Sequence, residues 1–332
     1  MTLHSKTSLQ AADAVDTLAT QSTLDRSLVH RAAVSEVFLT DIRRTGEATT
    51  FAAAQIPGCH GFFNDHRSET DVVDTMLLLE IARQATLSSA HVLDVTQDTI
   101  LISRNFEITL LGDPIPYSDQ KPLEITIESD FEWQTFRGKR PRSGLCRQTI
   151  YLDGQPIAKH WSDGQLLGRE QLAYLREAQR GTPPSWTNQQ PPRNEDTLLA
   201  PSAVQRWDPR NVVLSNLVSL DENLTAKITP HWQNRALFDH CYDHLTMQLL
   251  TEAARQTATL AKGSETCGFE SCAVQSISGC FHQFAELDAE TYAKIGADSG
   301  PDLHRITIDQ GSEIIAEINI EFASNLALEI AQ

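Results

Sequence analysis

No apolar run in the 332 residues approaches the roughly 20 needed to cross a bilayer, so no membrane span is expected. Positive charge is scarce. Against 44 Asp and Glu stand 27 Lys and Arg, a formal net charge of −17, which argues against a phosphate-binding surface for nucleic acid. The six cysteines (Cys59, Cys146, Cys241, Cys267, Cys272 and Cys280) never adopt the C-x-x-C spacing of a zinc site, and reduced thiols are the default reading. Cys267 and Cys272 share a Gly/Ser-rich loop in which a disulfide has room but no support. Neither a Gly-x-Ser-x-Gly nucleophile motif nor a Gly-rich phosphate loop is present, and no cofactor is expected. Residues 1–26 are Ser/Thr/Ala/Asp-rich and lack a basic start followed by an apolar stretch. They read as a flexible leader rather than a secretory signal, which points to the cytoplasm.

What is present is a globular composition, 40% hydrophobic and 21% charged, in a chain long enough for two domains. It also contains a repeat. Met76-Leu77-Leu78-Leu79-Glu80-Ile81-Ala82-Arg83-Gln84-Ala85 is echoed by Gln248-Leu249-Leu250-Thr251-Glu252-Ala253-Ala254-Arg255-Gln256-Thr257. Glu80, Ala82, Arg83 and Gln84 recur at one offset (252 − 80 = 172), as do Asp71, Leu77 and Leu78. An aromatic turn precedes each segment, His60-Gly61-Phe62-Phe63 and then Ala236-Leu237-Phe238-Asp239-His240. Strand-like runs follow: Thr99–Leu110, Leu123–Ile127, Leu145–Leu152 and Pro156–Trp161 in the first copy, the last two joined at Asp153-Gly154, a strong hairpin signal. In the second copy they are Ala273–Phe284, Leu303–Ile308 and Ile314–Phe322, with a turn at Gln310-Gly311-Ser312. Between the copies, 182–201 carries Pro183, Pro184, Pro191, Pro192 and Pro201 and reads as an extended linker. The divisions are therefore 1–26, 27–181, 182–201 and 202–332.

Val73, Leu77, Glu80, Gln84 and Leu87 share one helical stripe, yet Leu78, Ala82 and Ala85 make the opposite face apolar too. A helix apolar on both faces is buried on most of its circumference. The expected class is α+β, with each repeat a long helix wrapped by a curved antiparallel sheet, the double-hotdog plan.

Within that plan Glu80 and Glu252 carry the clearest chemistry. A carboxylate on a buried helix is costly unless paired, and burial would raise its pKa toward that of a general base. The competing reading pairs each with the arginine three residues on, Arg83 or Arg255. Those arginines can alternatively face a phosphate, for which a planar guanidinium is suited. Gln84 and Gln256 fit hydrogen-bonding core positions. His240 and His244, with Asp239 and Asp243 beside them, have i,i+4 spacing but no His-Glu-x-x-His pattern, so no metal is expected. Asp243 can cap the second helix, or this turn can offer backbone N–H groups to a thioester carbonyl. His60 and His66 are open to the same alternatives. Arg137, Lys139, Arg140, Arg142 and Arg147 form the densest cationic stretch, either a solvated loop or a landing site for an acidic partner.

A family resemblance runs from about Ser27 to Phe322. Val29-His30-Arg31, Glu36-Val37-Phe38-Leu39-Thr40-Asp41, His60-Gly61-Phe62-Phe63 and Glu80-Ile81-Ala82-Arg83-Gln84-Ala85 resemble the first repeat of AfsA-like A-factor biosynthesis proteins. Phe238-Asp239-His240-Cys241-Tyr242-Asp243-His244 and Glu252-Ala253-Ala254-Arg255-Gln256 resemble the second. The pattern departs at Thr246-Met247, where the family would have Pro-Gly. The resemblance implies transfer of a β-ketoacyl group from acyl carrier protein to a hydroxyl of dihydroxyacetone phosphate, on the way to butenolide and γ-butyrolactone signals. It implies catalytic roles for Glu80 and Glu252 and substrate contacts for Arg83, Arg255, Asp243, His244, Gln84 and Gln256. Arg137, Lys139, Arg140 and Arg142 would dock the carrier. Thioesterase or dehydratase chemistry on the same fold, and a non-catalytic acyl-ligand sensor, are the alternatives.

Overall fold

The computed structural model describes residues 17–66, 72–96, 98–117, 121–220, 223–265 and 273–323. Asp71, Cys267 and Cys272, and most of the leader, lie outside these. The chain forms two compact units. The first comprises residues up to Gly58, Leu77–Gly112 and Tyr117–Leu172; the second comprises Cys59–Met76, Asp113–Pro116 and Ala173 onward. The aromatic turn at residues 60–63, which the sequence groups with the first repeat, thus belongs to the second unit.

The first unit contains strands β1 (Leu39–Arg44) and β2 (Thr49–Ile56), helix α1 (Thr75–Val92) from Leu77 onward, and strands β3 (Thr99–Leu110), β4 (Leu123–Arg137), β5 (Arg140–Leu152) and β6 (Gln155–Gly168). Its strands pair antiparallel in the order β1-β2-β4-β5-β6-β3. Helix α2 (Arg169–Arg180) follows. The second unit repeats the plan with β7 (Leu214–Leu220), β8 (Asn223–Ile228), α3 (Met247–Glu265), β9 (Val274–Phe281), β10 (Thr291–Ile295), β11 (Leu303–Gln310) and β12 (Glu313–Phe322). Its order, β9-β12-β11-β10-β8-β7, is the same topology read from the other end.

Both long helices are buried. On α1, Met76, Leu77, Leu78, Leu79, Ile81, Ala82, Ala85 and Ala90 are all excluded from water, and on α3 so are Leu249, Leu250, Ala253, Ala254 and Ala258. Alternation on the strands supplies the other wall: Ile125, Ile127, Ile150 and Ala158 in the first unit, Ile306, Ile308, Ile318 and Ile320 in the second. Beyond the end of α1, Leu93 and Val95 pack with Phe131, Cys146 and Leu166 to close that core. The Cys146 thiol is pushed up to about 12 by burial, so it is an inert core group. Asp153 and Gly154 both adopt positive φ (48° and 75°), the geometry that a two-residue hairpin turn requires.

The Pro-rich stretch is anchored rather than free along its length. Arg193, its side chain buried, donates to the carbonyls of Pro209 and Val212, while two short 3-10 turns break the extended backbone. Helix starts also differ from expectation in one detail. Asp243 does not cap α3, which begins four residues later; Thr246 does, its Oγ1 accepting from the Leu249 amide at 3.2 Å. The equivalent position before α1 is Asp74, whose Oδ1 accepts from the Met76 amide at 2.9 Å. Thr246→Ala should lower unfolding free energy by about 1 kcal/mol, the usual worth of such a cap. Urea denaturation is the measurement, and an unchanged midpoint would remove Thr246 from this role.

Candidate functional site

The repeated Glu-x-x-Arg-Gln places an acid, a guanidinium and an amide on adjacent turns of a buried helix, and each unit completes the set from outside the helix. In the first unit Glu80 Oε1 accepts from Arg31 Nε (3.1 Å), Arg83 Nη2 (2.8 Å) and Gln84 Nε2 (2.7 Å), and Oε2 accepts from Arg83 Nε (2.8 Å). In the second, Glu252 Oε1 accepts from Arg206 Nε (3.1 Å), Arg255 Nη2 (2.7 Å) and Gln256 Nε2 (2.6 Å), and Oε2 accepts from Arg255 Nε (2.8 Å). Each glutamine then receives a strand-side amide, Phe38 N–H on Gln84 and Val213 N–H on Gln256, both at 3.0 Å. Arg31 and Arg206 follow short 3-10 turns (Arg26–Val29, Pro201–Val204) and a left-handed residue, His30 or Gln205. That backbone turns each arginine toward its helix.

This arrangement corrects the expectation that burial raises the acids. Burial does push both carboxyls up, but two guanidiniums outweigh it: Arg31 and Arg83 for Glu80, Arg206 and Arg255 for Glu252. Hydrogen bonds from the helix arginine and glutamine add to the effect, and both acids fall to about 2. They are ionised, saturated acceptors, the opposite of a base poised near neutrality. Sequence reading overlooked Arg31 and Arg206 as clamp residues because their offset differs from that of the helices (206 − 31 = 175). The signal was there in Val29-His30-Arg31 and Val204-Gln205-Arg206.

The two clamps differ in access. The side chain of Arg83 is 25% exposed and that of Arg255 only 2%. Arg206 is wholly buried and also binds the 60s segment. Its Nη1 donates to the carbonyls of Phe62 and Asp65, and its guanidinium lies 4.5 Å from the centre of the Phe62 ring. Asp65 in turn accepts from the amides of Trp207 and Asp208 and from Asn211 Nδ2. Beside this cluster, His66 Nε2 and Asp74 Oδ2 are 2.7 Å apart.

The Asp243–His244 turn is otherwise engaged. Arg176 of α2, its side chain buried, reaches Asp243 Oδ2 (3.0 Å) and Glu286 Oε1 (2.7 Å). Burial acts to raise Asp243, but His244 and Arg176 overcome it and bring the carboxyl to about 2. His240 pairs separately with Asp239, and His244 with Asp243. Among the described residues no group of three or more His, Cys, Asp or Glu converges as a metal site would require. Arg137, Lys139 and Arg140 are exposed around the β4–β5 turn, whereas Arg142 is half-buried and donates to Gln171 (2.8 Å).

Two helix-and-sheet units of one topology, each with its acid clamp on the central helix, define a tandem hotdog protein. The sequence pattern of the A-factor biosynthesis hotdog domain matches residues 12–164 and 187–324, and the chain belongs to that family. A relative from Streptomyces virginiae, a 2-oxo-3-(phosphooxy)propyl 3-oxoalkanoate synthase, is 28% identical over 291 residues, covering 86% of this chain and 92% of its own. Solved structures with a similar backbone include the 12:0-ACP thioesterase of Umbellularia californica (12% identical, TM-score 0.49, covering 84% of this chain and 98% of that one). An acyl-ACP thioesterase from Bacteroides thetaiotaomicron is 11% identical with a TM-score of 0.48, covering 83% and 98%. Among the described residues no helix is long and apolar enough to cross a membrane.

Glu252→Gln leaves Arg206 and Arg255 buried without their counter-charge and should cost about 3–5 kcal/mol. Glu80→Gln should cost less, because Arg83 retains access to water. The folded-state pKa of Glu252 lies below its ordinary 4.5. Its contribution is therefore complete above that value and fades as pH falls from 4.5 toward 2. Denaturation midpoints at pH 7 and pH 3.5 should thus converge between wild type and Glu252→Gln; a constant gap would contradict the clamp.

Proposed function

We propose that the protein is an acyltransferase that makes a 2-oxo-3-(phosphooxy)propyl 3-oxoalkanoate. The β-ketoacyl group would come from the thioester of acyl carrier protein and pass to the hydroxyl of dihydroxyacetone phosphate. The ester then leads through a butenolide to γ-butyrolactone signals, and the proposed location is the cytoplasm. The observation that carries this reading is the relation, over most of both chains, to the Streptomyces virginiae synthase. That relative's name specifies both halves of the ester.

The clamps add chemical support. Each sets two guanidiniums against one carboxylate, so an arginine is fixed in orientation without being fully neutralised. Arg83 and Arg255 are the proposed partners of the acceptor phosphate, and a guanidinium preorganised by a carboxylate loses little freedom on binding it. Glu80 and Glu252, together with Gln84 and Gln256, then act on the substrate through the arginines they hold. Amides at a helix start would polarise the thioester carbonyl, and no covalent enzyme intermediate is invoked. Carrier docking is assigned to Arg137, Lys139 and Arg140, with Arg142 behind them and Phe136, 56% exposed, alongside. An acidic carrier meeting a protein of net charge −17 needs such a local cationic site.

Incubation with a β-ketoacyl carrier-protein thioester, with and without dihydroxyacetone phosphate, tests the reading by product mass. An ester formed only with acceptor is expected. Free acid released regardless of acceptor would indicate a thioesterase, and saturable binding without turnover a sensor. In the same assay Arg83→Ala or Arg255→Ala should raise the acceptor Michaelis constant about tenfold or more, the loss of one charge-assisted contact. A separate comparison tests docking: Lys139→Glu with Arg140→Glu should weaken use of the carrier-bound substrate much more than use of a small thioester mimic. Equal effects on both substrates would count against it.

A further inference from the structure

The clamp leaves acyl transfer without a base, since both helix acids are ionised and saturated. A group that takes the acceptor's proton at neutral pH must be basic there, uncommitted at one atom and held in place. In the second unit the imidazole of His66 is uncommitted at one atom and held in place by a carboxylate. Its Nε2 is 2.7 Å from Asp74 Oδ2. Asp74 is buried, which works to raise its pKa, but His66 and then Arg255 and Arg206 hold it well below the usual carboxylate range. An ionised carboxylate only accepts, so the proton of that hydrogen bond sits on Nε2, and in the neutral imidazole Nδ1 carries the lone pair. Among the described residues Nδ1 has no hydrogen-bond partner. The imidazole side chain is 21% exposed against 4% for Asp74, so the ring is the accessible member of the pair.

The surroundings fix the ring. The His66 carbonyl accepts from Trp207 Nε1 (2.9 Å), the preceding Asp65 carboxylate binds two backbone amides and Asn211, and Arg206 ties the Phe62 and Asp65 carbonyls to the Glu252 clamp. Asp74 is bound at both oxygens, Oδ2 by His66 and Oδ1 by the Met76 amide. Helix capping alone does not call for a carboxylate at this position. Thr246, its counterpart at the 172-residue offset, caps α3 with a hydroxyl.

We propose that His66, oriented by Asp74, is the general base that takes the proton of the acceptor's primary hydroxyl. This rests on the acyltransferase reading above. As Nδ1 removes the proton, the hydroxyl oxygen bonds to the thioester carbonyl carbon. The tetrahedral intermediate collapses with cleavage of the C–S bond, and the imidazolium returns its proton to the departing thiolate. Ester and free thiol are formed, and the imidazole is again neutral. His66 is the catalytic residue of this step and Asp74 a positioning residue, the arrangement by which a carboxylate fixes the tautomer of a neighbouring imidazole.

The full-length protein carrying His66→Gln tests the assignment, because glutamine still offers Asp74 a side-chain N–H but has no basic nitrogen. With the carrier thioester and dihydroxyacetone phosphate, kcat should fall by about 10²–10⁴-fold, the usual range for general-base catalysis, with melting temperature and acceptor KM nearly unchanged. His66→Ala should recover part of its lost turnover when imidazole is added, which a purely structural residue would not do. Asp74→Asn keeps the cap and should lower kcat without moving KM. Near-wild-type turnover by His66→Gln overturns the base, as does a loss in His66→Ala that imidazole leaves untouched. A wild-type protein that forms no ester at all overturns the acyltransferase reading and the base with it, so the two failures are distinguishable.

Discussion

A carboxylate placed in the middle of a buried helix has to be answered by positive charge, and in both units that requirement organises the surroundings. Glu80 and Glu252 lie where unpaired ions would cost several kcal/mol. Each is met by one arginine from its own helix and one from a segment about 46–49 residues earlier in the chain. Because the second arginine arrives on a 3-10 turn ahead of the first strand of its unit, the ion pair also fixes that turn against the helix. The glutamine one residue after the helix arginine extends the same connection, giving one end of its amide to the acid and the other to a strand-side N–H. The polar core is thus a linked set of hydrogen bonds. Such a set is stabilising only when every member is present.

Much of this plan was legible in the sequence, and the reasons are local. The Glu-x-Ala-Arg-Gln repeat, the two-faced apolar helix and the Asp153-Gly154 turn depend on residues close together in the chain. Strands β3, β11 and β12 fall within a few residues of the runs that mark them. The strands that were not marked, β1, β2, β7, β8 and β10, are short or lack clean alternation. Phe51, Ala52, Ala53 and Ala54 of β2 are all buried, so that strand has no polar face to reveal its period.

The site was less legible, and the physical reason is distance. Helical spacing made Arg83 and Arg255 obvious partners for the acids. Arg31 and Arg206 had no such spacing, and they reverse the pKa direction that burial alone suggests. His66 and Asp74 are eight residues apart with no periodic relation, and only the folded backbone brings them to 2.7 Å. Asp243, close in sequence to the helix it was expected to cap, is instead taken by Arg176, 67 residues earlier. Nearness in sequence predicted partners well within a helix and poorly outside it.

The membership of residues 59–76 in the second unit has a consequence for any attempt to make that unit by itself. A chain begun after the Pro-rich stretch would keep Glu252, Arg255 and Arg206 but lose Phe62, whose ring and carbonyl complete the Arg206 environment, and Asp65, which binds the segment from Trp207 to Asn211. The buried guanidinium would then face water or a void on one side. Repetition in the sequence therefore does not make the halves modular: the second is completed by a loop encoded within the first, and separately expressed halves would be incomplete until that loop was returned.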